Sequence, residues 1–215
     1  GWIQQNWESA QQLFERALAL DPEFGVAYAA LSEVHGRMHW FRRDFTQARV
    51  EAQREAAEAA LRVDPGSPEA HMAMGLWHYW GRRDYAAAIA EFDIAGLPND
   101  AWLASVIGFV HRRMGNWEAV HAAFERAAEL DPRAAEVFHD LGGDSYLTTR
   151  RFADAVQAYN RALELAPDLE IAALRKGQTY ALWRGSLGTP PAGLTRLPRE
   201  EPSWALQLFL WEGNA

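Results

Sequence analysis

The sequence predicts an all-α chain of stacked antiparallel helix hairpins. Three observations predict it. One phrase recurs along the chain, as FERALALDP at 14–22, AEAALRVDP at 57–65, FERAAELDP at 124–132 and YNRALELAP at 159–167. The prolines closing these phrases, together with Pro98, are spaced 43, 33, 34 and 35 residues apart, and a period near 34 marks stacked helical hairpins. Before each proline, apolar residues step by three and four, as in Trp117, Val120, Phe124 and Ala127, or Phe152, Ala155, Tyr159 and Ala162. That spacing draws one apolar stripe on an amphipathic helix.

The elements follow in order. Residues 5–20 read as the second helix of an incomplete first hairpin. Full hairpins then occupy about 24–64, 67–97, 100–131 and 134–166, and a helix at 169–184 begins another, so an array is expected over 1–185. Proline lacks an amide donor and disfavours helix in the residue before it, so each closing proline ends a helix. The first helix of a hairpin carries a small residue within its apolar stripe, namely Gly75, Gly108 and Gly142 in successive copies. Glycine costs about 1 kcal/mol inside a helix, and close approach of two helices is the expected compensation. The pattern breaks in RGSLGTPPAGLTRLPREEP, so a linker is expected at 186–202. SWALQLFLW at 203–211 is apolar almost all round, and a capping helix is expected within 203–215, with self-association through it as the alternative.

Composition limits the function. Hydrophobic residues make up 49% of the 215, which argues against disorder. The formal charge of −8 argues against nucleic-acid backbones as partners. With no cysteine there is no disulfide framework, thiol nucleophile or thiolate metal site, which fits a reducing, cytoplasmic compartment. No apolar run reaches the ~18 residues needed to span a membrane. No secretory leader is legible in a chain that opens in mid-pattern at GWIQQNWESA.

The repeats resemble those of tetratricopeptide repeat proteins. The fullest copy is 101–134, with Ile107, Gly108, His111 in the usual tyrosine place, Gly115, Trp117, Phe124, Ala127 and Pro132. The resemblance covers roughly 1–185 and implies a right-handed α-solenoid with a concave side. The copy from Gly25 to Pro65 is about nine residues longer than the period, around MHWFRRDF and in the helix after it. Long copies of that kind resemble the repeat regions of bacterial signalling proteins linked to adenylyl cyclase, kinase or winged-helix domains. In the family, ligand-facing positions of each first helix lie three before, one after and four to five after the small residue. Carried over, they are Met72, Leu76, Tyr79 and Trp80, then Ser105, Phe109, Arg112 and Arg113, then His139, Gly143, Tyr146 and Leu147. Chaperone-binding relatives place lysine and asparagine there to grip a C-terminal carboxylate, and this chain has neither at these positions.

Chemistry for catalysis is sparse, and neither an enzyme nor a cofactor site is expected. Seven histidines invite a metal site, but zinc needs three or four converging ligands. His35, His78 and His111 read instead as equivalent packing positions, one per first helix. Ser145 in GGDSY lies within a repeat helix and has no preceding strand to form a nucleophile elbow. Arginine pairs recur near the hairpin turns, in RRDF at 42–45, RRDY at 82–85, Arg112–Arg113 and RRF at 150–152. They read as a solvated edge facing helix C-terminal carbonyls, or as a strip for carboxylates. The expected partner is a protein or peptide, amphipathic with acidic residues, and neither nucleic acid nor membrane. The expected setting is a larger bacterial regulatory protein. Alternatives are a small-molecule sensing or enzyme-accessory domain with an aromatic pocket around Trp80 and Phe109, or a purely structural spacer.

Overall fold

A computed structural model describes residues 2–41 and 43–184, with side chains from Asn6 onward. Two compact units divide the chain, Gly1–Leu130 and Asp131–Ala215. In the first lie α1 (Trp2–Leu20), α2 (Gly25–Trp40), α3 (Gln47–Val63), α4 (Pro68–Leu76), α5 (Tyr85–Ala95), α6 (Ala101–Met114) and α7 (Trp117–Leu130). The second holds α8 (Ala135–Asp140), α9 (Phe152–Leu165) and α10 (Glu170–Arg184). Among the described residues all regular structure is helical, so the fold class is the all-α repeat class expected. The expected linker at 186–202, the expected helix within 203–215 and Arg42 lie outside the described residues.

The helix boundaries have local causes. Thr46, Ser67, Asp84 and Asp100 are N-caps whose side chains accept from the backbone amides of Arg49, Ala70, Ala87 and Leu103. Each satisfies a donor that the first turn leaves orphaned, typically stabilising by ~1 kcal/mol. Pro68 adds a preset φ at the first turn of α4. At the other ends, Gly96 and Gly115 take φ of +62° and +74°, the left-handed conformation that closes a helix. The Asp-Pro pairs act through the aspartate as well. Asp21, Asp64 and Asp131 each accept an amide two residues on, from Glu23, Gly66 and Arg133, at 3.0–3.1 Å. The arginine of the recurring phrase has its own task. Arg126 donates to the carbonyl of Pro98 (3.4 Å) and, within the second unit, Arg161 to that of Pro132 (3.3 Å). Each second helix is thus tied to the turn that precedes its hairpin.

Packing explains the small residues. Gly75 meets the ring of Phe92, Gly108 that of Phe124 and Gly142 that of Tyr159. All three rings are 0–2% exposed. Gly36 plays the same part in the first full hairpin, against Gln53 of α3 and Trp80. Gln53 therefore stands where the other copies carry an aromatic ring. It is fully buried, and its side-chain amide atoms find no hydrogen-bond partner among the described residues.

This register corrects the histidine assignment. Three residues beyond Gly36, Gly75 and Gly108 come His39, His78 and His111, and each has an Nδ1 buried without a partner among the described residues. His35 lies one residue before its glycine and instead pairs its Nδ1 with Arg49 Nη1 at 2.7 Å.

The spacing from glycine to ring also varies. Phe92 and Tyr159 follow their glycines by one residue more than Phe124 follows Gly108. In those two copies the first helix ends in π-helical turns, Trp77–Arg82 and Leu141–Leu147. A π turn absorbs one extra residue within a helix. The residue that exits the turn is then Arg83 (φ +56°) or Arg150 (φ +60°), where the third copy has Gly115. In the long first full copy the additional residues lie in the connection 41–46, in α2, which has 16 residues against 14 in α6, and in α3, which has 17 against 14 in α7.

Candidate interaction surface

The first-helix positions divide by burial. Within the first unit, Leu76, Tyr79 and Trp80 are 0, 3 and 6% exposed and form one core cluster with Phe92, Leu103, Val106 and Val110. Ser105 is also buried, and its hydroxyl donates to the carbonyl of Ala101 at 3.2 Å. Met72 and Phe109 are half-buried and pack against the cluster from outside, so Trp80 and Phe109 belong to one packed core. Phe109 meets Phe124 edge-on with centroids 5.1 Å apart. Arg112 is half-buried with its guanidinium 5.7 Å from the Phe109 ring, and exposed Arg113 lies 5.9 Å from the ring of Trp40. In the second unit His139 and Tyr146 are half-buried. His139 Nδ1 is 3.0 Å from Asp140, and Arg151 covers the Tyr146 ring at 4.3 Å.

Applying the same offsets to Gly36 adds residues that the sequence reading passed over. They are Glu33, Arg37, Trp40 and Phe41. Trp40 lies 5.1 Å from Tyr79 and 6.3 Å from Trp80, centroid to centroid. Arg37 pairs with Glu33 at 2.6 Å and stands 5.1 Å over Trp102. The first copy was passed over because its register is obscured by the longer connection and by Gln53 in place of an aromatic ring. Between α2 and α4 runs a cleft of about 100 Å³, with Val26, Ala30, Met72 and Leu76 in its wall and Glu33 and Glu69 beside them.

Burial governs most of the ionisation shifts on these helices. Burial raises the Tyr79 phenol above its usual range, against the opposing effect of its hydrogen bond to Arg113. The hydroxyl therefore stays protonated at neutral pH, suited to hydrogen bonding. Burial, helped by Arg49, lowers His35 to about 4. Burial also lowers His39, His78 and His111. His71 moves the other way, because its ring bonds Glu91 at 2.7 Å. Neutral imidazoles can bind metals, but among the described residues no three His, Asp or Glu side chains are grouped to hold one.

Comparison with known proteins follows from this geometry. The sequence profile of the tetratricopeptide repeat matches residues 108–170 and 141–182. Residues 108–182 carry the tetratricopeptide repeat. Over 95 residues, 44% of its length, it is 32% identical to the cytochrome c-type biogenesis protein CycH of Pseudomonas aeruginosa, and it spans 19% of that protein. Among solved structures it is similar to PilW, described as a widely conserved type IV pilus biogenesis factor, with a TM-score of 0.74 and 21% identity. That match covers 97% of this chain and 93% of PilW. It is also similar to YrrB, a repeat protein described as having an unusual peptide-binding site (TM-score 0.61, 17% identity, 93% and 97% covered). These structural likenesses establish the fold of the tetratricopeptide array. No helix among the described residues is long and apolar enough to cross a membrane.

Proposed function

We propose that the chain is a non-enzymatic protein–protein interaction module that receives a peptide or partner domain along its first helices. Tetratricopeptide repeats generally serve such contacts, and the relatives named above are assembly factors and a peptide binder. The observation that carries the reading is the set of arginine–aromatic pairs on the first helices of one unit: Arg37 over Trp102, Arg112 over Phe109 and Arg113 over Trp40. Arginine and large aromatic side chains dominate binding hot spots because they combine apolar area with directional donors. Set beside Met72 and the α2–α4 cleft, they fit an apolar side chain with acidic neighbours. Attachment to a larger protein agrees with the short share of CycH that the chain spans. The pilus and cytochrome relatives favour an assembly task over signalling within that protein.

Trp80 is a core residue, so its replacement would hollow the fold rather than test the surface. Met72 and Phe109 serve better. A photoreactive side chain at position 72 is expected to crosslink a partner protein in cells, whereas one at exposed Glu118 is not. Phe109→Ala, folded by circular dichroism, is expected to weaken the captured partner by ~30-fold, equivalent to about 2 kcal/mol. Crosslinking from Glu118 but not from position 72, or full affinity in Phe109→Ala, would place the site elsewhere.

A further inference from the structure

The connection between α2 and α3 occupies residues 41–46, where α6 and α7 are joined by Gly115 and Asn116 alone. Insertions in one repeat collect on one face of an array, often the face that binds. This one displays two phenyl rings to solvent, Phe41 at 53% and Phe45 at 58% exposure. Neither ring is loose. Phe41 stacks on Trp7 with centroids 5.6 Å apart, and Phe45 stacks on His39 at 4.6 Å and 10°.

The backbone beneath them is equally anchored. The amides of Arg43 and Asp44 both donate to the carbonyl of Met38, at 2.9 and 3.1 Å. The Asp44 carboxylate accepts from the Thr46 hydroxyl at 2.6 Å and pairs with Arg49 at 2.8 Å. Arg49 is itself held by Gln11 and His35. Hydrogen bonds from Thr46 and Arg49 hold the Asp44 carboxyl below the usual range, so this anchor stays ionised. A surface ordered in advance loses little conformational entropy on binding.

Two exposed arginines complete the patch. Arg43 lies within the connection, and Arg83 lies near His39, whose pKa is lowered chiefly by burial and further by the Arg83 charge, against Asp44. Neither makes an ion pair among the described residues, whereas nearby Arg37, Arg49 and Arg54 are all paired with carboxylates. Arg83 also holds φ at +56°, a conformation in which glycine would be the cheaper residue.

We propose that the turn edge around 41–46 is a second docking surface, which meets the first-helix face at Phe41 and extends it through Arg43, Phe45 and Arg83. Its occupant is a protein segment in which an apolar side chain is flanked by carboxylates. The rings would cover the apolar side chain, and Arg43 and Arg83 would take the carboxylates. A broad anionic membrane would also have to approach Glu8 and Glu15 of α1 and Glu51, Glu55 and Glu58 of α3, whereas a short segment can keep its carboxylates against Arg43 and Arg83.

The test uses the full chain and two fluorescein-labelled dodecapeptides, one with aspartates on either side of a Leu-Phe pair and one with asparagines in their place. Fluorescence anisotropy is expected to show the aspartate peptide binding at least ~10-fold more tightly. Phe45→Ala and the double variant Arg43→Gln, Arg83→Gln are each expected to lose ~10-fold or more, while Trp117→Ala, an exposed aromatic of another hairpin, keeps full affinity. Circular dichroism verifies that each variant is folded, and the glutamine variant removes charge without removing ring packing. Hydrogen exchange is expected to slow within 41–49 on peptide addition. Failure of the aspartate peptide to bind, equal binding of both peptides, or unchanged affinity in both variants would overturn the proposal. Binding to phosphatidylglycerol vesicles that depends on Phe41 and Phe45 would overturn it in favour of a membrane.

Discussion

Replacing Gly108 with alanine tests the helix contact on which every hairpin of this chain relies. A Cβ at position 108 would lie 2.9 Å from Cε2 of Phe124, 3.0 Å from Cδ2 and 3.1 Å from Cζ. The ring has no easy retreat, because Phe124 is fully buried and meets Phe109 edge-on. Two effects oppose each other. Alanine favours a helix interior by about 1 kcal/mol over glycine. Overpacking a filled core costs about 1–3 kcal/mol. The contact lies at the short limit along one edge of the ring, so we expect a net loss of about 1 kcal/mol for alanine and about 3 kcal/mol for leucine. For a chain of this size each kcal/mol lowers the melting temperature by about 2–4 °C. Phe124→Leu alone should cost about 1 kcal/mol through lost burial. Combined with Gly108→Ala it should cost less than the two together, because the shorter side chain vacates the space that the methyl needs. Gly115→Ala is the contrasting case, since nothing lies within 4 Å of its Cβ and any loss comes from φ of +74°. Gly108→Ala melting at or above the wild-type temperature, or strictly additive effects in the double variant, would refute the close-contact reasoning.

Two further expectations concern charge and backbone. His35 has an ordinary pKa of 6.5 and a folded value of about 4, so the unfolded chain binds the proton more readily. Stability is therefore full above pH 6.5 and is lost as pH falls from 6.5 towards 4, by about 2 kcal/mol between pH 7 and 5; denaturation at both pH values should show this loss shrinking in His35→Gln, and an unchanged loss would contradict it. Arg83→Gly should raise the melting temperature by relieving a left-handed backbone that costs about 1 kcal/mol, while weakening the aspartate peptide, and a lower melting temperature would show that the side chain itself supports the fold.

The helices and their period were legible in the sequence because their causes are local. Proline stops and apolar steps of three and four act over one or two turns, so they can be read without knowing what packs where. The close helix approach at the small residues was also legible, since Gly75, Gly108 and Gly142 recur once per copy, whereas the rings that meet them were shown by the packing. Tertiary structure alone decided which first-helix side chains remain accessible. Helix register places Trp80 and Phe109 on comparable faces, yet Trp80 is buried and Phe109 only half-buried, because coverage depends on neighbouring hairpins. The same holds for Tyr79, which is sealed by Trp40 and bonded to Arg113, residues far away in sequence. One residue more or less between glycine and ring likewise reads as a trivial spacing change. Its outcome, a π turn that leaves Arg83 in a left-handed conformation, arises because the ring must still reach its glycine and the excess has to be absorbed within the helix.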